Sequence, residues 1–207
     1  LVDARFTINR SGICSADSFE IDRRTSRGGI TNYEWNLGGT IYIIPDSVFS
    51  YTFPNLTSSP QNQQISLYAF NAQGCSDTLT SSILVYPEVR ANFTLDDYTV
   101  CYPHESSFNN TTENANNYYW DFGDGTGSND MTPGYHVFPN FDVANDTTYS
   151  LWLIIRSLYN CYDSISRDIT VYAKPYAEFT FPPADCPPFT ASMTNESQGY
   201  DLSYYWL

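Results

Sequence analysis

Two histidines, five cysteines and a cluster of acids around one glycine-rich turn are the residues of this chain whose types could do chemistry. A hydrolytic triad or a cysteine–histidine pair needs a base, so either would have to be built on His104 or His136. His104 stands between Pro103 and Glu105 with no nucleophile motif nearby, and no G-x-S-x-G, P-loop or dinucleotide fingerprint occurs. Asp121, Asp124 and Asp130 surround Gly123 and Gly125, where carboxylate oxygens are dense enough to make calcium a candidate. Calcium wants about six to eight oxygens, and the EF-hand spacing is not met. Short carboxylates in such turns commonly accept backbone N–H groups instead. The expectation is therefore a chain with no catalytic residues and no cofactor, with calcium at Asp121, Asp124 and Asp130 as the alternative.

The acidic turn belongs to Tyr118-Tyr119-Trp120-Asp121-Phe122-Gly123-Asp124-Gly125. With a period of two, Tyr118, Trp120 and Phe122 share one face of a strand, and the glycines supply the positive-φ turn that ends it. Weaker copies are Tyr33-Glu34-Trp35-Asn36-Leu37-Gly38-Gly39 and Tyr204-Tyr205-Trp206-Leu207. Ala4-Arg5-Phe6-Thr7, Ala91-Asn92-Phe93-Thr94 and Ala177-Glu178-Phe179-Thr180 start three units, 87 and then 86 residues apart. That period suits one small sandwich domain each. The expected division is 1–88, 89–175 and 176–207, the last being the opening part of a third unit. In the second unit strands are expected near 91–96, 106–110, 117–122, 134–138, 148–157 and 163–172. Tyr149, Leu151, Leu153 and Ile155 should complete its core opposite Trp120, as Ile65, Leu67 and Ala69 should in the first.

Composition agrees with an all-β chain: eighteen Tyr, frequent Thr, Asn and Ser, and almost no stretch of helical periodicity. A net charge of −14 with a single Lys (Lys174) makes nucleic acid and anionic membrane surfaces poor partners. No apolar run approaches the roughly 18 residues of a membrane helix. The opening reads as the middle of a repeat array and the end as a repeat cut in half.

The cysteines follow the repeat. Cys14 and Cys101 each lie eight residues after the unit's first Phe, and Cys75 and Cys161 each lie 18 before the next. Pairing within units would join Cys14 to Cys75 and Cys101 to Cys161, while Cys186 belongs to the third unit. Metal ligation is the alternative, but no C-x-x-C spacing occurs. Disulfides imply an oxidising, exported location.

The Tyr-x-Trp-Asp-Phe-Gly-Asp-Gly stretch resembles the hallmark of PKD domains, the immunoglobulin-like modules named after polycystic kidney disease protein. Pro133-Gly134-Tyr135-His136-Val137-Phe138 is similar to the family's Pro-x-His-x-Tyr strand, and Tyr51 stands where His136 would be. The resemblance implies tandem immunoglobulin-like β-sandwiches in an elongated array, with Trp35, Trp120 and Trp206 at the motif cores. The period, the cysteine positions and the Val-Tyr-x-x-Pro-x-Ala-x-Phe junction look like the arrays of giant Bacteroidota cell-surface adhesins. Those are type IX secreted and include the mobile adhesins of gliding motility. Such a likeness implies an extracellular stalk whose partners are neighbouring modules of its own chain, surface polysaccharide or other cell-surface proteins, without membrane insertion. The alternative it leaves is a non-catalytic accessory or carbohydrate-binding module of a secreted polysaccharide- or protein-degrading enzyme; a third class, a lectin-like binder, would use Trp152, Tyr68 and Phe70, which alternate out of the core-facing set, as aromatics stacked on sugar. From the same source, O-glycosylation is expected at Asp-Ser/Thr sites: Ser47, Thr78, Thr147 and Ser164. The first unit's Trp-Asn-Leu-Gly-Gly departs from the family pattern.

Overall fold

The computed structural model describes residues 1–184 and 186–207, and among them every regular element is a β-strand. The chain divides into two compact units. One comprises Leu1–Arg90 with Glu113–Asn116 and Arg156–Asp163; the other comprises Ala91–Thr112, Asn117–Ile155 and Ser164–Leu207.

The first unit contains β1 (Thr7–Ile8), β2 (Gly12–Cys14), β3 (Ser18–Asp22), β4 (Ile30–Leu37), β5 (Thr40–Tyr42), β6 (Val48–Thr52), β7 (Gln61–Asn71) and β8 (Ser76–Tyr86). They form a three-stranded sheet, β1-β3-β6, and a five-stranded sheet, β2-β8-β7-β4-β5. All pairs are antiparallel except β2 with β8, where Gly12 faces Leu84 and Cys14 faces Tyr86. Alternation sends Trp35 and Leu37 inward from β4, and Ile65, Leu67 and Ala69 from β7, onto Phe19 and Ile21 of β3; all are buried. Trp35 packs T-shaped against Phe6 and Phe49 at centroid distances of 5.3 and 5.2 Å. The result is a two-sheet sandwich of immunoglobulin-like type.

The second unit repeats this plan with β9 (Phe93–Leu95), β10 (Thr99–Cys101), β11 (Glu105–Ser106), β12 (Phe108–Asn110), β13 (Asn117–Asp121), β14 (Gly127–Ser128), β15 (His136–Val137), β16 (Thr147–Arg156) and β17 (Tyr162–Tyr172). Its large sheet runs β10-β17-β16-β13-β14, the same order as the first. The parallel edge recurs in the same register: Thr99 faces Thr170 and Cys101 faces Tyr172. The small sheet is broken into β9–β12 and β11–β15, so the expected 106–110 strand is split at Ser107 and the expected 134–138 strand shrinks to two residues. Trp120 is fully buried against Phe93 (4.9 Å) and Phe108 (5.5 Å), and Leu151, Leu153 and Ile155 join the core as expected, but from β16, the neighbour of Trp120's own strand in the same sheet and not a strand opposite it.

Both motif strands end in hairpins. Gly38 and Gly39 have φ of 61° and 95° between Leu37 and Thr40, which face each other across β4–β5. Gly123 and Gly125 have φ of 78° and 89°, and a Cβ on Gly123 would lie 2.6 Å from the Ser150 carbonyl oxygen. That close approach and the left-handed backbone together require glycine there.

In the third segment, β18 (Phe179–Thr180) and β19 (Thr194–Asn195) form one short hairpin. Trp206, expected at a motif core, is instead 52% exposed, touching Phe179 edge-on at 5.4 Å. No strand is formed over 203–207, and among the described residues the β18–β19 pair has no facing sheet to enclose the indole.

Candidate functional site

The acidic turn is held by its own carboxylates. Asp121 Oδ1 accepts the Gly123 N–H (2.9 Å), and Asp124 Oδ1 accepts both the N–H (2.9 Å) and the hydroxyl (2.6 Å) of Thr126. Asp124 Oδ2 takes His136 Nε2–H at 2.7 Å, the carboxylate being the acceptor. The imidazole stacks on Phe122 at 4.1 Å, tying β15 to the turn after β13. Burial is the largest influence on the Asp124 carboxyl and pushes its pKa up. The bonds from Thr126 and His136 outweigh it and hold the group below the ordinary carboxylate value. Asp130 points elsewhere: its Oδ2 accepts the Ser128 hydroxyl (3.0 Å), and its carbonyl accepts Trp120 Nε1–H (3.0 Å).

Asp121, Asp124 and Asp130 are thus spent on separate turn partners, and among the described residues no three His, Cys, Asp or Glu side chains gather to hold a metal ion. His136 is packed and hydrogen-bonded with no Ser or Cys nucleophile bonded to it, so it positions the turn. His104 Nε2 lies 3.8 Å from Asp96 Oδ2, beyond hydrogen-bond reach. In the first unit Asn36 Oδ1 does the work of Asp121, accepting Gly39 N–H at 2.8 Å. Tyr51 replaces His136 and donates to the Tyr42 hydroxyl at 3.2 Å; burial first and that bond second push the Tyr51 hydroxyl up to about 12. Trp35 Nε1 is buried without a hydrogen-bond partner among the described residues, because the segment after Gly39 diverges from the one that gives Trp120 its carbonyl.

The cysteines correct the expected pairing. Cys14 bonds Cys161, 147 residues away with Cα atoms 5.6 Å apart, so neither Cys14–Cys75 nor Cys101–Cys161 forms. Cys75 and Cys101 are exposed thiols. Cys161 sits in the connection between β16 and β17, which belongs to the first compact unit, and beside it Tyr159 stacks on Tyr86 at 4.5 Å and 8°. Spacing alone does not choose between a partner in the same repeat and one a repeat away.

Two buried asparagines were not singled out by the sequence. Asn55 Nδ2 donates to the carbonyls of Val85 (2.8 Å) and Ser59 (2.9 Å); Asn140 Nδ2 donates to those of Val171 (2.9 Å) and Asn145 (3.0 Å). Each fastens the loop before β7 or β16 to the end of the last strand. The repeat spacing was the available signal, since Asn55 and Asn140 are 85 residues apart, as are Trp35 and Trp120. Of the Asp-Ser/Thr sites, Thr78 and Ser164 lie exposed on β8 and β17, whereas Ser47 and Thr147 are half-buried.

On the outer face of the second unit's large sheet, Tyr119, Trp152 and Ile154 are 49%, 45% and 42% exposed. β13, which carries Tyr119, and β16, which carries Trp152 and Ile154, are neighbours in that sheet. Tyr68 and Phe70, the other outward aromatics, are half-buried.

No family model and no curated protein matches the chain. Solved structures similar to it include the fibronectin(III)-like modules of Clostridium thermocellum CbhA, at 11% identity over 82% of this chain and 94% of that one, TM-score 0.34. Carbohydrate-binding modules of the β-sandwich superfamily align at 11% identity over 96% and 84%, TM-score 0.37. Mouse cadherin-23 EC22-24 aligns at 11% identity over 95% and 80%, TM-score 0.41. At these TM-scores none of the three bears on function.

Proposed function

We propose that this chain is a non-catalytic structural segment of an exported, multi-repeat surface adhesin, divided at 1–88, 89–175 and 176–207. The observation that carries the reading is the recurrence of one strand order and one parallel-edge register at the repeat spacing. Such a pattern serves to build length by repetition. The Cys14–Cys161 bond suits an oxidising, extracellular setting. The finer assignment, to the type IX secreted adhesins of gliding motility, rests on the PKD-like motif and on the repeat period. Its partners are then neighbouring modules and surface polysaccharide or other cell-surface proteins, and Ser47, Thr78, Thr147 and Ser164 are its O-glycosylation sites. Deleting whole repeats from the full-length protein should shorten the surface filament in proportion and leave any secreted enzyme activity unchanged. Filament length indifferent to repeat number would end the stalk reading.

The exposed Trp152, Tyr119 and Ile154 favour a second reading, a carbohydrate-binding module, because a flat aromatic face can stack on sugar rings. Glycan-array binding abolished by Trp152→Ala would select it; no binding by the unaltered chain would remove it.

A further inference from the structure

The one bond that forms joins two kinds of position, and the chain carries a second example of each. Cys14 ends β2 and faces Tyr86 across the parallel edge; Cys101 ends β10 and faces Tyr172 in the same register. Cys161 closes a turn in which Ser157 N–H donates to the Cys161 carbonyl (2.8 Å), Asn160 N–H to the Ser157 carbonyl (3.2 Å), and Cys161 N–H to the Ser157 hydroxyl (3.2 Å). The turn that presents Cys75 has the same three bonds: Asn71 N–H to the Cys75 carbonyl (3.0 Å), Gly74 N–H to the Asn71 carbonyl (3.1 Å), and Cys75 N–H to Asn71 Oδ1 (2.9 Å). Asn160 and Gly74 occupy the same left-handed conformation, with φ of 66° and 82°. Beside the formed bond Tyr86 is stacked on Tyr159; at the open counterpart Tyr172 is 43% exposed and Cys101 is exposed with it.

We propose that Cys75 and Cys101 are half-sites for disulfides to neighbouring repeats of the same protein. Cys101 takes the turn cysteine of a following repeat, and Cys75 takes the first-loop cysteine of a preceding one. The inference rests on the repeat-array reading above. Each bond forms by exchange with an oxidising protein disulfide. The Cys101 thiolate attacks one sulfur of that disulfide and displaces the other as thiolate. The turn thiolate of the next repeat then attacks the Cys101 sulfur of the mixed disulfide and releases the second oxidant thiolate. Two protons and two electrons leave the cysteine pair, and the oxidant ends as a dithiol. Repeats linked in this way form an unbroken covalent series running beside the backbone.

The test is peptide mapping of the full-length exported protein, alkylated under denaturing conditions before any reductant is added. Cys75 and Cys101 should resist alkylation until reduction. Each should be recovered cross-linked to a cysteine about 147 residues away, the separation of the formed pair, upstream of Cys75 and downstream of Cys101. Alkylation of either without reductant, a Cys75–Cys101 link, or a small-molecule thiol on them overturns the inference while leaving the repeat array intact. A full-length sequence without flanking repeats overturns both.

Discussion

Reduction of the Cys14–Cys161 bond should change how far this chain can be drawn out by a size that identifies the pairing. The bond holds the 147 residues between the cysteines off the stretched path, leaving about 60 of the 207 to extend. At about 3.4 Å per extended residue, the fully unfolded oxidised chain reaches roughly 200 Å and the reduced chain roughly 700 Å, a gain near 500 Å. Bonds within repeats, Cys14–Cys75 and Cys101–Cys161, would together hide about 121 residues and give a gain near 410 Å. Single-molecule stretching from both termini, with and without reductant, separates these values. Cys161→Ser should show the reduced length throughout, and Cys75→Ser should not differ from the unaltered chain. A gain near 410 Å, or loss of the gain in Cys75→Ser, would refute the pairing. On the chain-entropy model, closing so long a loop stabilises the fold by about 5 kcal/mol, so the reduced protein should also unfold at clearly lower urea.

Asp124→Ala should destabilise the second sandwich by about 2 kcal/mol in urea unfolding, since it removes hydrogen bonds to Thr126 and His136 from a carboxylate whose side chain is 7% exposed. The folded pKa of Asp124 lies below its unfolded value near 3.8, so this stabilisation is complete above that pH and fades as pH falls through the lower folded value. The variant should show a flatter acid limb; equal limbs would mean the carboxylate is idle. Asn140→Ala should cost about 2 kcal/mol by removing the bonds to the Val171 and Asn145 carbonyls, measured by the shift in urea midpoint. Gly123→Ala should cost more than Gly125→Ala in the same assay: both need φ above +70°, at about 1–2 kcal/mol for an L-residue, but only Gly123 also meets the Ser150 carbonyl.

The sandwich was legible where the side-chain period is unambiguous. Trp35 and Trp120 stand in the repeated motif, Leu151, Leu153 and Ile155 recur at every second position, and all lie in the cores. β10 escaped notice because three residues are too few to display an alternation, and its parallel partner, β17, is some seventy residues away in sequence. Asn55 and Asn140 resemble ordinary turn residues one at a time; burial and the carbonyls they reach are properties of the folded loop. The cysteines show the sharpest limit. A period of about 86 residues makes a partner at one repeat's distance as regular as one inside the repeat, and only the placement of the β16–β17 connection distinguishes them. Of the acidic turn, the backbone-bonding role of Asp121 and Asp124 was readable from their type, whereas the link from Asp124 to His136 spans 12 residues and required the hairpin to fold back.

The parallel edge has a mechanical meaning. A chain tensioned at its ends pulls β2 from its beginning and β8 from its end, in opposite directions along one shared line of hydrogen bonds. Those bonds are loaded in shear and must fail together, whereas strands peeled from one end part a bond at a time. Cys14 stands at the far end of β2, so with its bond closed the tension crosses to Cys161 there and never reaches β8. The shear lock then serves as a reserve, engaged in the first unit only after the sulfur link has been cut.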